Sequence, residues 1–196
     1  MIRQETWERF GELLEARLSK SIFTTEDAVR YTFFAAVLEM ESLKPEDISL
    51  EVRHPEISNA EIDTRIVFPG KPDIFIEFKY DRHMPGGKNA NRTQKAGKVF
   101  HDLHRLAKVP DVLRVFVYLA SSEMARHFLS PKNRLADFFS LECGSALRIT
   151  EQFFQGRAKS FMTSLGPGLE AEVSLIYCKE LAQEHKLRAY EVRPIA

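Results

Sequence analysis

A chain of 196 residues, 44% of them hydrophobic and 15 of them Phe, has the apolar content to fill one sizeable core, so a single domain over 1–196 is expected. Its 28 basic and 28 acidic residues cancel, which leaves no global charge to announce a nucleic acid or a membrane; such a partner must be read from local asymmetry. Cys143 and Cys178 lie outside any CxxC spacing, "MIRQETWERF" lacks the basic-then-apolar plan of a signal peptide, and no run approaches the roughly 18 apolar residues of a membrane span, so a cytoplasmic protein with reduced thiols and no membrane partner is expected.

In chain order, Trp7, Phe10, Leu13, Leu14 and Leu18 recur at helical spacing over 5–18. Thr24 or Thr25 then caps a second helix, where Val29, Phe33, Val37 and Met40 form one apolar stripe, and Pro45 closes that region. "DISLEVRH", "EIDTRIVF" and "DIFIEFKY" alternate with period two between turn residues and read as three consecutive strands. "DRHMPGGKNAN" reads as a flexible loop, with Gly86 and Gly87 as a mobile flap that lacks the spacing of a triphosphate-binding loop. "RTQKAGKVFHDLHRLAK" has helical spacing, and "VLRVFVYLA" is the continuous apolar run of a central strand. Helical patterns near 121–130, 133–141 and 149–164 precede two last strands near 171–178 and 187–193. The order predicts a mixed α/β domain with a hairpin at its centre and a crossover helix.

The strand "DIFIEFKY" raises a chemical question, because Glu77 and Lys79 share one of its faces. A three-residue turn over Pro69 to Lys71 sets Asp63 directly opposite Glu77, with Cβ atoms about 4.5–5.5 Å apart, close enough for two carboxylates to share one cation. A two-residue turn moves Asp63 to the other face. Asp73 is the fallback partner, although four residues of extended strand put it about 13 Å from Glu77, and metal–oxygen bonds are only about 2.0–2.6 Å. Two carboxylates that close repel unless a cation or a proton lies between them.

"IDTRIVFPGKPDIFIEFKY" resembles the catalytic hairpin of the PD-(D/E)XK nuclease superfamily, in which an Asp precedes an E-x-K on the next strand. The resemblance covers about 24–119 and implies a restriction-endonuclease-like mixed central sheet flanked by helices. It also implies an Mg²⁺- or Mn²⁺-dependent nuclease acting on DNA. By position, Asp63, Glu77 and the carbonyl of Phe78 would be metal ligands and Lys79 would orient or activate the attacking water. Glu26 matches an acidic residue in the helix before the sheet, and Gln94 a Gln that often opens the following helix. Four positions after Gln94 this chain has Lys98, where the commoner pattern has Tyr.

The residue types suit this chemistry apart from any family. Phosphodiester hydrolysis needs charge stabilisation at the phosphoryl oxygens and a deprotonated water, and Mg²⁺ on oxygen ligands supplies both. A Lys two residues from a ligand Glu lies on the same face, within reach of that water. Residues 81–108 hold seven Lys or Arg against two Asp, a basic patch from which Lys88, Arg92, Lys95 and Lys98 are the candidate DNA contacts.

Each signal also has an ordinary explanation. E-x-K on a strand is often a solvated salt-bridging face, which would leave Glu77 and Lys79 exposed and Asp63 turned elsewhere. Glu26 is also a favourable acid in a first helical turn, and Gln94 a polar helix-start residue. His101 and His104, three apart, have a zinc-compatible spacing but neither a nearby Cys nor an HExxH pattern, so a surface pair is expected. Ser121 and Ser122 lack the context of a hydrolase nucleophile. A non-catalytic nucleic-acid-binding or scaffolding member of the same fold, a partner-binding protein and a homodimer all remain compatible with the sequence.

Overall fold

Trp7, Phe10, Leu14 and Leu18 are buried along α1 (Gln4–Ser19) in the computed structural model, as their spacing requires. The structure describes residues 1–81, 91–168 and 170–195. The helix α2 (Glu26–Met40) is capped by Thr25, whose hydroxyl accepts the Ala28 amide at 3.1 Å. It buries Val29, Phe33 and Val37 from the expected stripe, and with them Arg30. Thr24, the other candidate cap, instead donates its hydroxyl to the Ile22 carbonyl at 2.9 Å.

The strands β1 (Ile48–Arg53), β2 (Glu61–Ile66) and β3 (Ile74–Asp81) follow as read, then the helix α3 (Arg92–Ala107) and β4 (Leu113–Ala120). Two helices, α4 (Ser122–Leu129) and α5 (Ala136–Phe139), lead to β5 (Ala146–Ile149), α6 (Lys159–Leu165), β6 (Ala171–Leu181) and β7 (His185–Pro194). All seven strands join one mixed sheet in the order β1-β2-β3-β4-β7-β6-β5. β3 and β4 run parallel, as their crossover through α3 demands, and every other adjacent pair is antiparallel.

Helices cover both faces of this sheet. α1 and α2 bury Ile66, Ile74, Ile76 and Phe78 with Val117 and Leu119, while α3, α4 and α6 cover Phe75, Phe116, Tyr118 and Tyr190. α3 and α6 approach so closely that a Cβ on Gly97 would lie 2.5 Å from the Phe161 carbonyl, which requires glycine there. Among the described residues no helix is long and apolar enough to cross a membrane.

Three expectations need correction. The β2–β3 hairpin is not central: β7, β6 and β5 extend the sheet beyond β4, which becomes the middle strand. The 149–164 pattern is not one helix, because Ile149 closes β5, a short 3-10 turn spans Glu151–Phe154, and Gly156 at φ +73° interrupts the chain before α6. The aromatic spacing there is real but serves packing from separate elements, with Phe153, Phe154 and Phe161 all around the Phe100 ring. Over 133–141 the helix shrinks to α5, with Arg134 in the left-handed region at φ 50°.

Candidate active site

The hairpin register carries the site. Thr64 faces Ile76 and Ile66 faces Ile74, the pairing in which Asp63 comes next opposite Glu77. The β2–β3 ladder stops at Thr64, however, and on the other side the β1–β2 ladder skips the opposing pair of Glu51 and Asp63. Glu51 is itself left-handed, at φ 49°, a conformation costing a non-glycine residue about 1–2 kcal/mol. Asp63 thus sits where β2 leaves the β3 ladder and breaks, for one pair, its ladder with β1.

That departure opens an edge on β3. The carbonyls of Asp73 and Asp81 accept from Leu113 and Ser121 at the two ends of β4, so the odd-numbered residues of β3 bond toward β4 and the even-numbered ones toward β2. Past Ile76, two side chains replace the missing strand. Asp63 Oδ2 accepts the Phe78 amide at 2.7 Å, and Glu26 Oε2 accepts the Tyr80 amide at 2.8 Å. The N–H and C=O of a strand residue leave the same edge, so the Phe78 carbonyl also leaves β3 on the side of Asp63.

The other face of β3 lies under α3. Glu77 Oε1 accepts from Arg105 Nη2 at 2.5 Å; Lys79 Nζ lies 3.6 Å from Asp102 Oδ2 and 3.5 Å from Glu26 Oε2; Lys95 Nζ lies 3.8 Å from Asp81 Oδ1. Charges therefore alternate along β3 and are answered in reverse order along α3. Arg30 of α2 closes the cluster, its Nη2 3.0 Å from Asp63 Oδ1. Glu77 is 2% exposed and the Lys79 side chain 22%, so the E-x-K face is an internal ionic layer and not a solvated one.

Burial dominates the electrostatics. It pushes Glu77 well above the ordinary carboxylate range, the nearby Asp63 charge pushes the same way, and Arg105 opposes both. Burial also raises Glu26 and Asp102, with Lys79 as the main opposing charge for each, and raises Asp81 against Lys95. For Lys79, burial pulls downward, but Asp102 and Glu26 outweigh it and leave the ammonium above its usual value. Burial thus favours the neutral form of these carboxyls, and the neighbouring cations hold them toward the charged one.

Asp63, Glu77 and the Phe78 carbonyl make a hard oxygen donor set. Among the described residues no three His, Cys, Asp or Glu side chains gather closely enough to hold a metal alone. Two carboxylates with a carbonyl and waters nevertheless suit Mg²⁺, which keeps several of its waters. Asp73, the fallback ligand, is ion-paired with Arg65 at 2.6 Å, just before β3 begins.

Beside the site, a cleft of about 1000 Å³ opens between the β1–β2 connection and the C-terminal half of α3, with Asp63 and Arg105 on its walls. Buried His54 joins its two sides: one ring nitrogen meets the Arg105 carbonyl at 2.8 Å, and the other accepts the Glu56 and Ile57 amides at 3.0 Å. Glu51, Glu56 and Glu61 make one wall acidic, facing Lys108 and His104 on the other.

No family model, curated protein or solved structure matches this chain.

The remaining candidates fall out unevenly. Gln94 shares the α3 stripe of Lys98, Asp102 and Arg105 but is exposed, about 12 Å along the axis from Asp102. Arg92 and Lys98 are exposed, whereas Lys95 is half-buried against Asp81. Arg82, Gly86, Gly87 and Lys88 lie outside the described residues. The histidines are not a surface pair: His104 is buried, and His101 Nδ1 meets the Leu165 carbonyl at 3.0 Å, tying α3 to the end of α6. Ser121 caps α4. Arg30 and Asp102 were not singled out from sequence, and Arg105 entered only as one of the seven basic residues of 81–108, because each looks there like ordinary helix-surface charge.

Proposed function

We propose that this chain is a metal-dependent nuclease of the PD-(D/E)XK type, with a restriction-endonuclease-like core, hydrolysing phosphodiester bonds in DNA. The observation that carries the reading is the bond from Phe78 N–H to Asp63, which brings the β2 aspartate against the backbone between Glu77 and Lys79. Further support comes from the run α2-β1-β2-β3-α3-β4, which puts Glu26, Asp63, Glu77 and Lys79 into one cluster.

In this reading Asp63, Glu77 and the Phe78 carbonyl would hold Mg²⁺ or Mn²⁺. When bound, the metal supplies Lewis-acid stabilisation of phosphoryl charge and lowers the pKa of water. Lys79, kept protonated by Asp102 and Glu26, positions the attacking water and donates toward a phosphate oxygen. Arg92 and Lys98, exposed on α3, contact the phosphate backbone. One such site cuts one strand, so double-strand cleavage would use a homodimer.

One observation favours a second reading, a non-catalytic member of the same fold. Arg30 and Arg105 already neutralise Asp63 and Glu77. Both reach these carboxylates through Nη2 alone, however, and their Nε atoms are buried without a hydrogen-bond partner among the described residues, so neither makes the bidentate fork of a strong pair.

Incubation of the full chain and of Glu77→Ala with single-stranded, double-stranded and branched DNA, in Mg²⁺, in Mn²⁺ and in chelator, separates the two readings when divalent-cation binding is measured alongside. Metal-dependent cleavage lost in Glu77→Ala is expected. An absence of both cation binding and cleavage would overturn the nuclease reading in favour of the ion-paired, non-catalytic one.

A further inference from the structure

Three strands across the sheet from Lys79, the chain's two cysteines meet. Cys143 lies in the connection between α5 and β5, Cys178 lies on β6, and their sulfurs are 2.9 Å apart although 35 residues separate them in sequence. Both residues are exposed.

The backbone fixes this approach from both sides. After Cys143, the Gly144 amide donates to the Leu175 carbonyl at 2.8 Å, and Leu175 returns its own amide to the Ser145 carbonyl at 3.0 Å. Before it, the Leu141 carbonyl accepts from Arg188 Nη1 at 3.1 Å. Arg188 is the cross-strand partner of Cys178 on β7, and its guanidinium lies over the Phe139 ring at 4.7 Å from the centroid. Each segment is thus held to the sheet independently of the sulfurs. A disulfide needs the sulfurs to close to about 2.05 Å with a dihedral near ±90°, and a 2.9 Å approach between two anchored segments leaves a short distance to close.

We infer that Cys143 and Cys178 form a redox-convertible dithiol, taking hydrogen peroxide or a low-molecular-weight disulfide as oxidant. With peroxide, one thiolate attacks a peroxide oxygen, the O–O bond breaks, and a sulfenic acid and water form. The second thiol then displaces a second water from that sulfur, the S–S bond closes, and two electrons have passed from the thiols to the peroxide. With a small disulfide, the first thiolate releases one thiol and the second cysteine releases the other. Burial, followed by the hydrogen bond with Cys178, pushes the Cys143 thiol up to about 11, so the reaction accelerates as pH rises above neutrality.

The test treats the full chain with hydrogen peroxide or oxidised glutathione, then counts free thiols, measures intact mass and runs non-reducing electrophoresis. The expected result is loss of both free thiols with a mass lower by two hydrogens, monomeric mobility, full reversal by a dithiol reductant, and a Tm raised by roughly 5–10 °C for a crosslink across a loop of this length. Cys143→Ser and Cys178→Ser should each retain one thiol, take up glutathione as a stable mixed disulfide, and show no rise in Tm. Retention of both thiols, a disulfide-linked dimer, or glutathione persisting on the unmutated chain would overturn the proposal.

Discussion

The carboxylate of Asp63 accepts the Phe78 amide at 2.7 Å, so a β2 side chain makes the bond that a β2 carbonyl would otherwise make. Asp63→Ala leaves that buried donor unpaired and should cost about 1–3 kcal/mol of stability, whereas Asp63→Asn keeps a carbonyl acceptor and should cost less. Chemical denaturation of both variants checks the order. Equal losses would mean that the bond does not hold the hairpin edge.

Lys79 rests between Asp102 and Glu26, which together keep its ammonium above the usual lysine value despite burial. Asp102→Asn should lower cleavage about tenfold and move the alkaline limb of the pH–rate profile toward lower pH, because the lysine then loses its proton sooner. A variant with reduced rate but an unmoved profile would make Asp102 merely structural.

Glu77 titrates above its unfolded value because burial and Asp63 outweigh Arg105. A carboxyl raised in the folded state takes up protons on folding, so its contribution favours the folded state most at low pH and is lost as pH rises from the ordinary carboxylate range through the raised value. Glu77→Gln removes this dependence. In chelator, its Tm should therefore exceed that of the unmutated chain at neutral pH, with the two curves converging on acidification; parallel curves would contradict the assignment.

Arg105 contacts Glu77 at 2.5 Å and so competes with any cation for that carboxylate. Arg105→Met should bind Mn²⁺ more tightly while losing about 1–3 kcal/mol of stability in chelator, where a buried carboxylate is left without its donor. Calorimetric titration paired with thermal denaturation reads both effects, and weaker Mn²⁺ binding would make Arg105 a support of the site.

Much of this architecture was legible in the sequence because period and punctuation agreed over long segments. Trp7 to Leu18, the alternation of β2 and β3, and the apolar run of β4 each specify one element. The register of the hairpin stays open in the sequence between a two- and a three-residue turn, because both faces of β3 are apolar and buried and so do not choose between them; the pairing of Thr64 with Ile76 is the one that sets Asp63 toward Glu77. The break at Asp63 was not legible either, because the left-handed conformation of Glu51 has no glycine or asparagine to mark it. The partners Asp102, Arg105 and Arg30 were hidden for another reason: a buried ion pair is set by the face of a helix that meets the sheet, and in sequence those residues look like ordinary helix-surface charge. The 149–164 region misled because its aromatic residues pack into one cluster from two separate elements.

The central claim is most directly tested by single-turnover cleavage of end-labelled DNA in Mg²⁺ by the unmutated chain and by Lys79→Met, whose substitution leaves both carboxylates in place. Cleavage by the first is expected, with a rate at least about 100-fold lower for the second and metal binding retained. Equal cleavage by the two proteins would contradict the claim.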